Sequence, residues 1–112
     1  MTTAISMSET EFHQRVDSLL LSLQNLLDDA PADIDSELAS GILTLSFENG
    51  SKIIINRQTP NREIWVAAKS GGFHFRFVPP HWINTRSAET LCHLLTEVVS
   101  QQSGISVSIA LD

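Results

Sequence analysis

The stretch ILTLSFENGSKIIINR, residues 42–57, constrains the fold more tightly than any other part of the chain. Two runs alternate polar and apolar residues with period two, and only ENGS separates them. Successive side chains of a β-strand point to opposite faces, so each run can bury one row and wet the other. The connection is too short for anything except a hairpin. A three-residue loop with Gly50 in the left-handed conformation pairs Leu45 with Ile53 and Leu43 with Ile55 on one core face. A two-residue turn would oppose Leu45 to Ile54 and Phe47 to Lys52, so the bulged turn is predicted. Thr44, Ser46, Lys52, Ile54 and Asn56 then face away from the core.

The same alternation continues on both sides. In DIDSELA, Asp33, Asp35 and Glu37 share one face while Ile34, Ser36 and Leu38 share the other. EIWVAA turns Ile64, Val66 and Ala68 inward and Trp65 and Ala67 outward, and FHFRF sets Phe73, Phe75 and Phe77 against His74 and Arg76. Pro79 and Pro80 stop that strand, and a short WIN strand follows.

Helices flank these strands. Ser8 and Glu11 form an S-x-x-E capping pattern ahead of Phe12, Val16, Leu19, Leu20, Leu23, Leu26 and Leu27 at helical spacing, and the helix should end near Asp29, before Pro31. Ser87 is the expected N-cap of a second helix that buries Leu91, Leu94, Leu95 and Val98 and ends at Gly104. The last run, ISVSIAL, alternates weakly and can either pack along the helices or fray. Helix, five to six hairpin-connected strands, helix is the order. It predicts an α+β fold, a two-layer sandwich with both helices packed on one face of an antiparallel sheet. With 112 residues and 42% apolar composition the chain suits a single domain over 1–112, with a core of about 8–104 and terminal extensions at 1–7 and 105–112.

Charge is divided unevenly. Residues 1–48 hold nine acids and one base, Arg15, a formal charge of −8, whereas residues 49–112 hold four acids and six bases, a charge of +2. No Lys or Arg occurs from Val16 through Ser51. Within that gap Asp28, Asp29, Asp33, Asp35 and Glu37 crowd the junction of the first helix and first strand. A helix C-terminus carries partial negative charge, so acids there are disfavoured by about 0.3–1 kcal/mol each. Neither the dipole nor a nearby base offsets them, and a bound di- or trivalent cation would. Carboxylate oxygens suit hard ions such as magnesium, calcium, manganese or iron. On an exposed helix end and strand edge such sites are shallow, water-rich and weak. His13, beside Glu11, is a candidate for an auxiliary metal site.

Other chemistries find little support. The acidic field argues against nucleic acid, which needs clustered Lys and Arg. No apolar run approaches the roughly 18 residues of a membrane span, and the opening MTTAISMSETEF has no basic and apolar leader, so a cytoplasmic protein is expected. There is no phosphate-cradling Gly-rich motif and no GxSxG; lone Cys92 reads as a small helix side chain without a base partner, and no enzyme is expected. Trp65 on a solvent-facing strand, among Asn56, Arg57 and Gln58 with His74 on the same face, has the composition of a partner-binding hot spot.

FENGSKIIINRQTP, residues 47–60, followed by IWVAAKSGGFHF, residues 64–75, resembles the bacterial frataxin family, the CyaY type. The resemblance runs from about residue 8 to residue 104 and extends to the order of elements. It implies an iron-binding accessory protein, holding Fe2+ or Fe3+ weakly at its surface. Such a protein regulates or supplies iron for iron-sulfur cluster assembly by binding a cysteine desulfurase of the IscS type and its scaffold complex. Carried over by position, Asp28, Asp29, Asp33, Asp35 and Glu37 form the acidic ridge, with Glu11 and His13 as outer contributors. Asn56, Gln58 and Trp65 match the family's exposed sheet residues. Gln24 and Asn25 stand where the family places acids, which implies fewer ridge charges. A monomer is expected, with iron-dependent oligomers left open. The competing reading is an acidic adaptor of the desulfurase whose weak metal binding is incidental.

Overall fold

A computed structural model describes residues 7–111. Helix α1 spans Glu9–Asp28, and Ser8 caps it by accepting from the Glu11 amide at 3.1 Å. Phe12, Val16, Leu20, Leu23 and Leu27 form its buried stripe. Six strands follow, β1 Ile34–Ala39, β2 Ile42–Phe47, β3 Lys52–Gln58, β4 Glu63–Ala68, β5 Gly71–Val78 and β6 His81–Asn84, before α2 at Leu91–Ser103. Their spatial order is their chain order, β1-β2-β3-β4-β5-β6, with every neighbour antiparallel. Hairpin-length links leave no room for a crossover, which is why the sheet is a simple meander.

The β2–β3 register is the predicted one: Leu43 opposes Ile55 and Leu45 opposes Ile53. Gly50 stands at φ +86°, and its amide reaches the Phe47 carbonyl at 2.9 Å. All four paired aliphatics are fully buried, with Ile64, Val66 and Phe75 beside them and the apolar sides of both helices above. The sheet's other face is left to solvent. Among the described residues no helix is long and apolar enough to cross a membrane.

One expectation changes in the structure, and one open alternative closes. Thr90, not Ser87, caps α2, its hydroxyl accepting from the His93 amide at 3.2 Å. Residues ahead of it cannot coil, because Asn84 N–H binds the Glu89 carbonyl at 2.8 Å and Thr90 bridges to Ile83. Ser87 instead accepts from the Glu89 amide within the turn. The run after Gly104 packs and does not fray: Val107 and Ile109 are buried. Ser100 and Thr96, one helical turn apart on α2, each exchange two hydrogen bonds with the backbone of Val107 and Ile109 respectively. The hydroxyls take the place of a missing strand neighbour.

Candidate functional site

The acidic ridge follows the edge of the sandwich. Asp28 closes α1 and Asp29 caps it, while the Asp29 and Ala30 amides turn back to the Leu26 and Leu27 carbonyls at 3.2 and 3.1 Å. Ala32 is buried and anchors the link to β1. On β1, Ile34 opposes Phe47 and Leu38 opposes Leu43 on the helix side, so Asp35, opposite Ser46, and Glu37, opposite Thr44, point to the outer sheet face. The ridge therefore wraps from the helical layer over the sheet edge. All five carboxylates, those of Asp28, Asp29, Asp33, Asp35 and Glu37, are exposed. None forms an ion pair among the described residues; the pairs present there involve Glu9, Glu11, Asp17, Glu63 and Glu89. Along the strand the acids recur at about 6.7 Å, where two charges repel by about 0.6 kcal/mol in bulk water. They line up and do not converge: among the described residues no three His, Cys, Asp or Glu side chains are gathered so as to enclose a metal ion. What this arrangement offers a cation is one or two carboxylate oxygens at a time, completed by water. It also places an edge strand under charge, which discourages pairing with another sheet.

Glu11 and His13 are not brought to the ridge. Fifteen helical residues separate His13 from Asp28, about 22 Å along the axis, far beyond the reach of one ion. Both are engaged elsewhere. Glu11 Oε2 takes Arg15 Nε at 3.3 Å, and His13 Nδ1 lies 2.9 Å from Arg57 Nη1. A guanidinium can only donate, so Nδ1 is the acceptor and the ring proton sits on Nε2, which faces Glu9 Oε2 at 3.6 Å.

The second candidate surface is the outer sheet face. Asn56, Trp65 and His74 form one cross-strand row, and Gln58, Glu63 and Arg76 the next. Trp65 is half-buried, its indole lying so close over Gly72 that a Cβ there would stand 3.2 Å from Nε1. His74 Nδ1 is shielded from solvent and lies 3.2 Å from Glu63 Oε1, yet the two are not aligned for a hydrogen bond. This contact becomes an ion pair only when the imidazole is protonated. Arg57, expected on this face, points the other way. It follows Ile53 and Ile55 in parity and crosses the rim of the core to α1, its Nη2 binding Asp17 Oδ1 at 2.6 Å and the Gly41 carbonyl at 3.3 Å. Its side chain is only 12% exposed. The period-two rule alone would have placed it there; its charge suggested otherwise. Glu63, the neighbour of His74, was not anticipated, although Gln58 and the β3–β4 connection put it in register.

Known proteins share this architecture. Residues 5–105 match the family described as the frataxin-like domain. The iron-sulfur cluster assembly protein CyaY of Paraburkholderia phymatum is 49% identical over 104 residues, covering 93% of this chain and 99% of that protein. Among solved structures, frataxin from Psychromonas ingrahamii is similar with a TM-score of 0.87 at 32% identity, over 94% of this chain and all of that one (100%). Trimeric frataxin from the yeast Saccharomyces cerevisiae, complexed with ferrous iron, aligns with a TM-score of 0.66 at 31% identity over 93% of each chain. Six meandering strands, two helices on one face and a matching sequence over most of the chain have one meaning: the protein belongs to the frataxin-like family.

Proposed function

We propose that this protein is a cytoplasmic iron-binding accessory factor of iron-sulfur cluster assembly, which regulates or supplies iron by docking on the cysteine desulfurase complex. Its ridge of Asp28, Asp29, Asp33, Asp35 and Glu37 attracts ferrous or ferric ions as cargo and, in their absence, a basic groove of the desulfurase. Asn56, Gln58, Trp65 and His74 offer a second contact surface to the scaffold. The role is accessory, with no chemical step carried by the protein's own side chains.

One observation carries this reading: five exposed carboxylates occupy a helix end, its link and an edge strand without a cationic partner among the described residues. Such crowding weakens the fold and strengthens attraction for positive visitors. The name of the Paraburkholderia relative and the ferrous complex of yeast frataxin support it. The linear spacing of the acids favours a second reading as well, an adaptor whose ridge binds protein and meets iron only incidentally. Calorimetry separates them. Under anaerobic conditions ferrous iron should bind the wild type and not the Asp28→Asn, Asp29→Asn, Asp33→Asn, Asp35→Asn variant, and desulfurase affinity should fall in the same variant. Loss of desulfurase binding with iron binding unchanged would leave the adaptor alone, and unchanged affinity for both would reject the ridge as a site.

A further inference from the structure

The most unusual buried side chain in the molecule is Gln102. It is the one buried polar side chain of the described core, at 7% exposure, and it lies near the end of α2 against the open ends of β3 and β4. Its amide is fully used. Nε2 donates to Ser51 Oγ at 3.0 Å and to the Lys52 carbonyl at 3.3 Å, Oε1 accepts from the Lys69 amide at 2.9 Å, and its own carbonyl accepts from Asn49 Nδ2 at 2.9 Å. One side chain thus fixes the backbone of both lysines of the chain. Closing the core end needs an apolar residue of similar volume; holding two particular backbones together needs an amide.

The lysines so held face the same place. Ile54 opposes Ala67 in the β3–β4 ladder; Lys52 opens β3 and Lys69 directly follows the last residue of β4, so both stand at the same end of this strand pair. Both line one shallow depression of 470 Å³ on the outer sheet face, floored by Ile54 and Ala67 and rimmed by Asn49 and Ser51. Both are exposed, and neither has an ion-pair partner among the described residues. In a chain of net charge −6 this is a local inversion of sign.

Across the sheet the charge pattern is ordered. Lys52 pairs with Ser46, which pairs with Asp35 of the ridge, so two strand spacings, about 9.6 Å, separate the cationic pair from the acidic edge. A uniformly anionic chain such as nucleic acid laid over the lysines would meet Asp35 and Glu37 next. A polypeptide can change sign over that distance.

We propose that Lys52 and Lys69, pinned by Gln102, form a docking site for an acidic, extended segment of a partner protein. The partner carries carboxylates over the β3–β4 end and basic residues over β1. Cations carried on backbones that are already ordered lower the cost of binding and set the partner's register through complementary signs. The contact over β1 rests on the ridge acids Asp35 and Glu37, whereas the site at the lysines goes beyond the ridge reading and does not depend on iron.

The test uses the whole folded protein and, as the probe, a peptide of three glutamates, two glycines and three lysines that carries both signs, followed by amide-resolved NMR at low ionic strength. Shifts are expected at residues 51–54 and 67–69. Each exposed ion pair contributes a few tenths to about 1 kcal/mol, so Lys52→Gln or Lys69→Gln alone should weaken the peptide about two- to fivefold. The double variant should weaken it about tenfold, and salt should abolish binding. Both side chains are exposed, and an unchanged spectrum elsewhere certifies the fold. Ferrous iron titrated into the double variant should still perturb the ridge if that separate reading is sound. Absence of shifts at the two turns, shifts undiminished in the double variant, or tighter binding of hexathymidylate than of the peptide would each overturn the proposal.

Discussion

Neutralising the ridge should stabilise the fold. The perturbation is the fourfold variant Asp28→Asn, Asp29→Asn, Asp33→Asn, Asp35→Asn, which changes charge with little change of shape at exposed positions. Asp28 and Asp29 face the negative end of α1, where the last turn has no base, and relieving each gains about 0.3–1 kcal/mol. On β1 the Asp35–Glu37 repulsion of about 0.6 kcal/mol also vanishes, together with that of Asp33 just ahead of the strand. Some repulsion persists in the unfolded chain, so the net gain is about 1–3 kcal/mol at low salt. For a domain of this size that raises Tm by about 4–12 °C. Urea denaturation at about 0.01 M and 1 M ionic strength is the assay, because screening shortens from about 30 Å to 3 Å over that range and should remove most of the Coulomb share of the difference. A variant no more stable than the wild type at low salt would mean that the acids are already compensated, and the reasoning from crowding to function would fail with it.

Further outcomes follow from the same contacts. Arg57→Met keeps the apolar stem but removes the bridge to His13, Asp17 and the Gly41 carbonyl; with Asp17 largely solvated, the loss should be about 1–3 kcal/mol in urea melts, with desulfurase affinity unchanged. A stable variant, or one that loses the partner, would contradict the placement of Arg57 under α1. Gly72→Ala should fold normally yet push the Trp65 indole aside by a few tenths of an ångström, seen as altered tryptophan emission, and weaken scaffold docking. Docking at wild-type strength would remove Trp65 from the contact surface. Replacing Thr96 with Val and Ser100 with Ala severs four hydrogen bonds to residues 107 and 109, and hydrogen exchange there should approach that of free chain; continued protection would show that burial of Val107 and Ile109 alone holds the segment.

Much of this could be read in the residues, for identifiable reasons. Period two together with a glycine that admits positive φ left one register that buries Leu43, Leu45, Ile53 and Ile55 together, so the central hairpin followed. Charge misled the reading of Arg57: its parity pointed inward, but a cation is assigned to solvent unless its partners are known, and His13 and Asp17 lie 40 or more residues earlier. Ser87 and Thr90 are equally good caps in isolation; the contact between Asn84 and Glu89 chose between them. The tail from residue 105 shows only weak alternation because its partners are helical hydroxyls and not a strand. The ridge acids were visible as a run of one sign without bases. Their arrangement as a line around an edge, and the isolation of Glu11 and His13 at the far end of α1, needed three dimensions.

The most direct measurement is an amide-resolved titration of the wild-type protein with ferrous iron under anaerobic conditions, mapping paramagnetic broadening onto the fold. Broadening centred on residues 28–37, sparing His13 and the Asn56, Trp65, His74 row, and displaced by added desulfurase, is the predicted result. Broadening centred anywhere else, or ridge signals untouched at iron concentrations that saturate binding, would contradict the claim that this edge exists to receive cations.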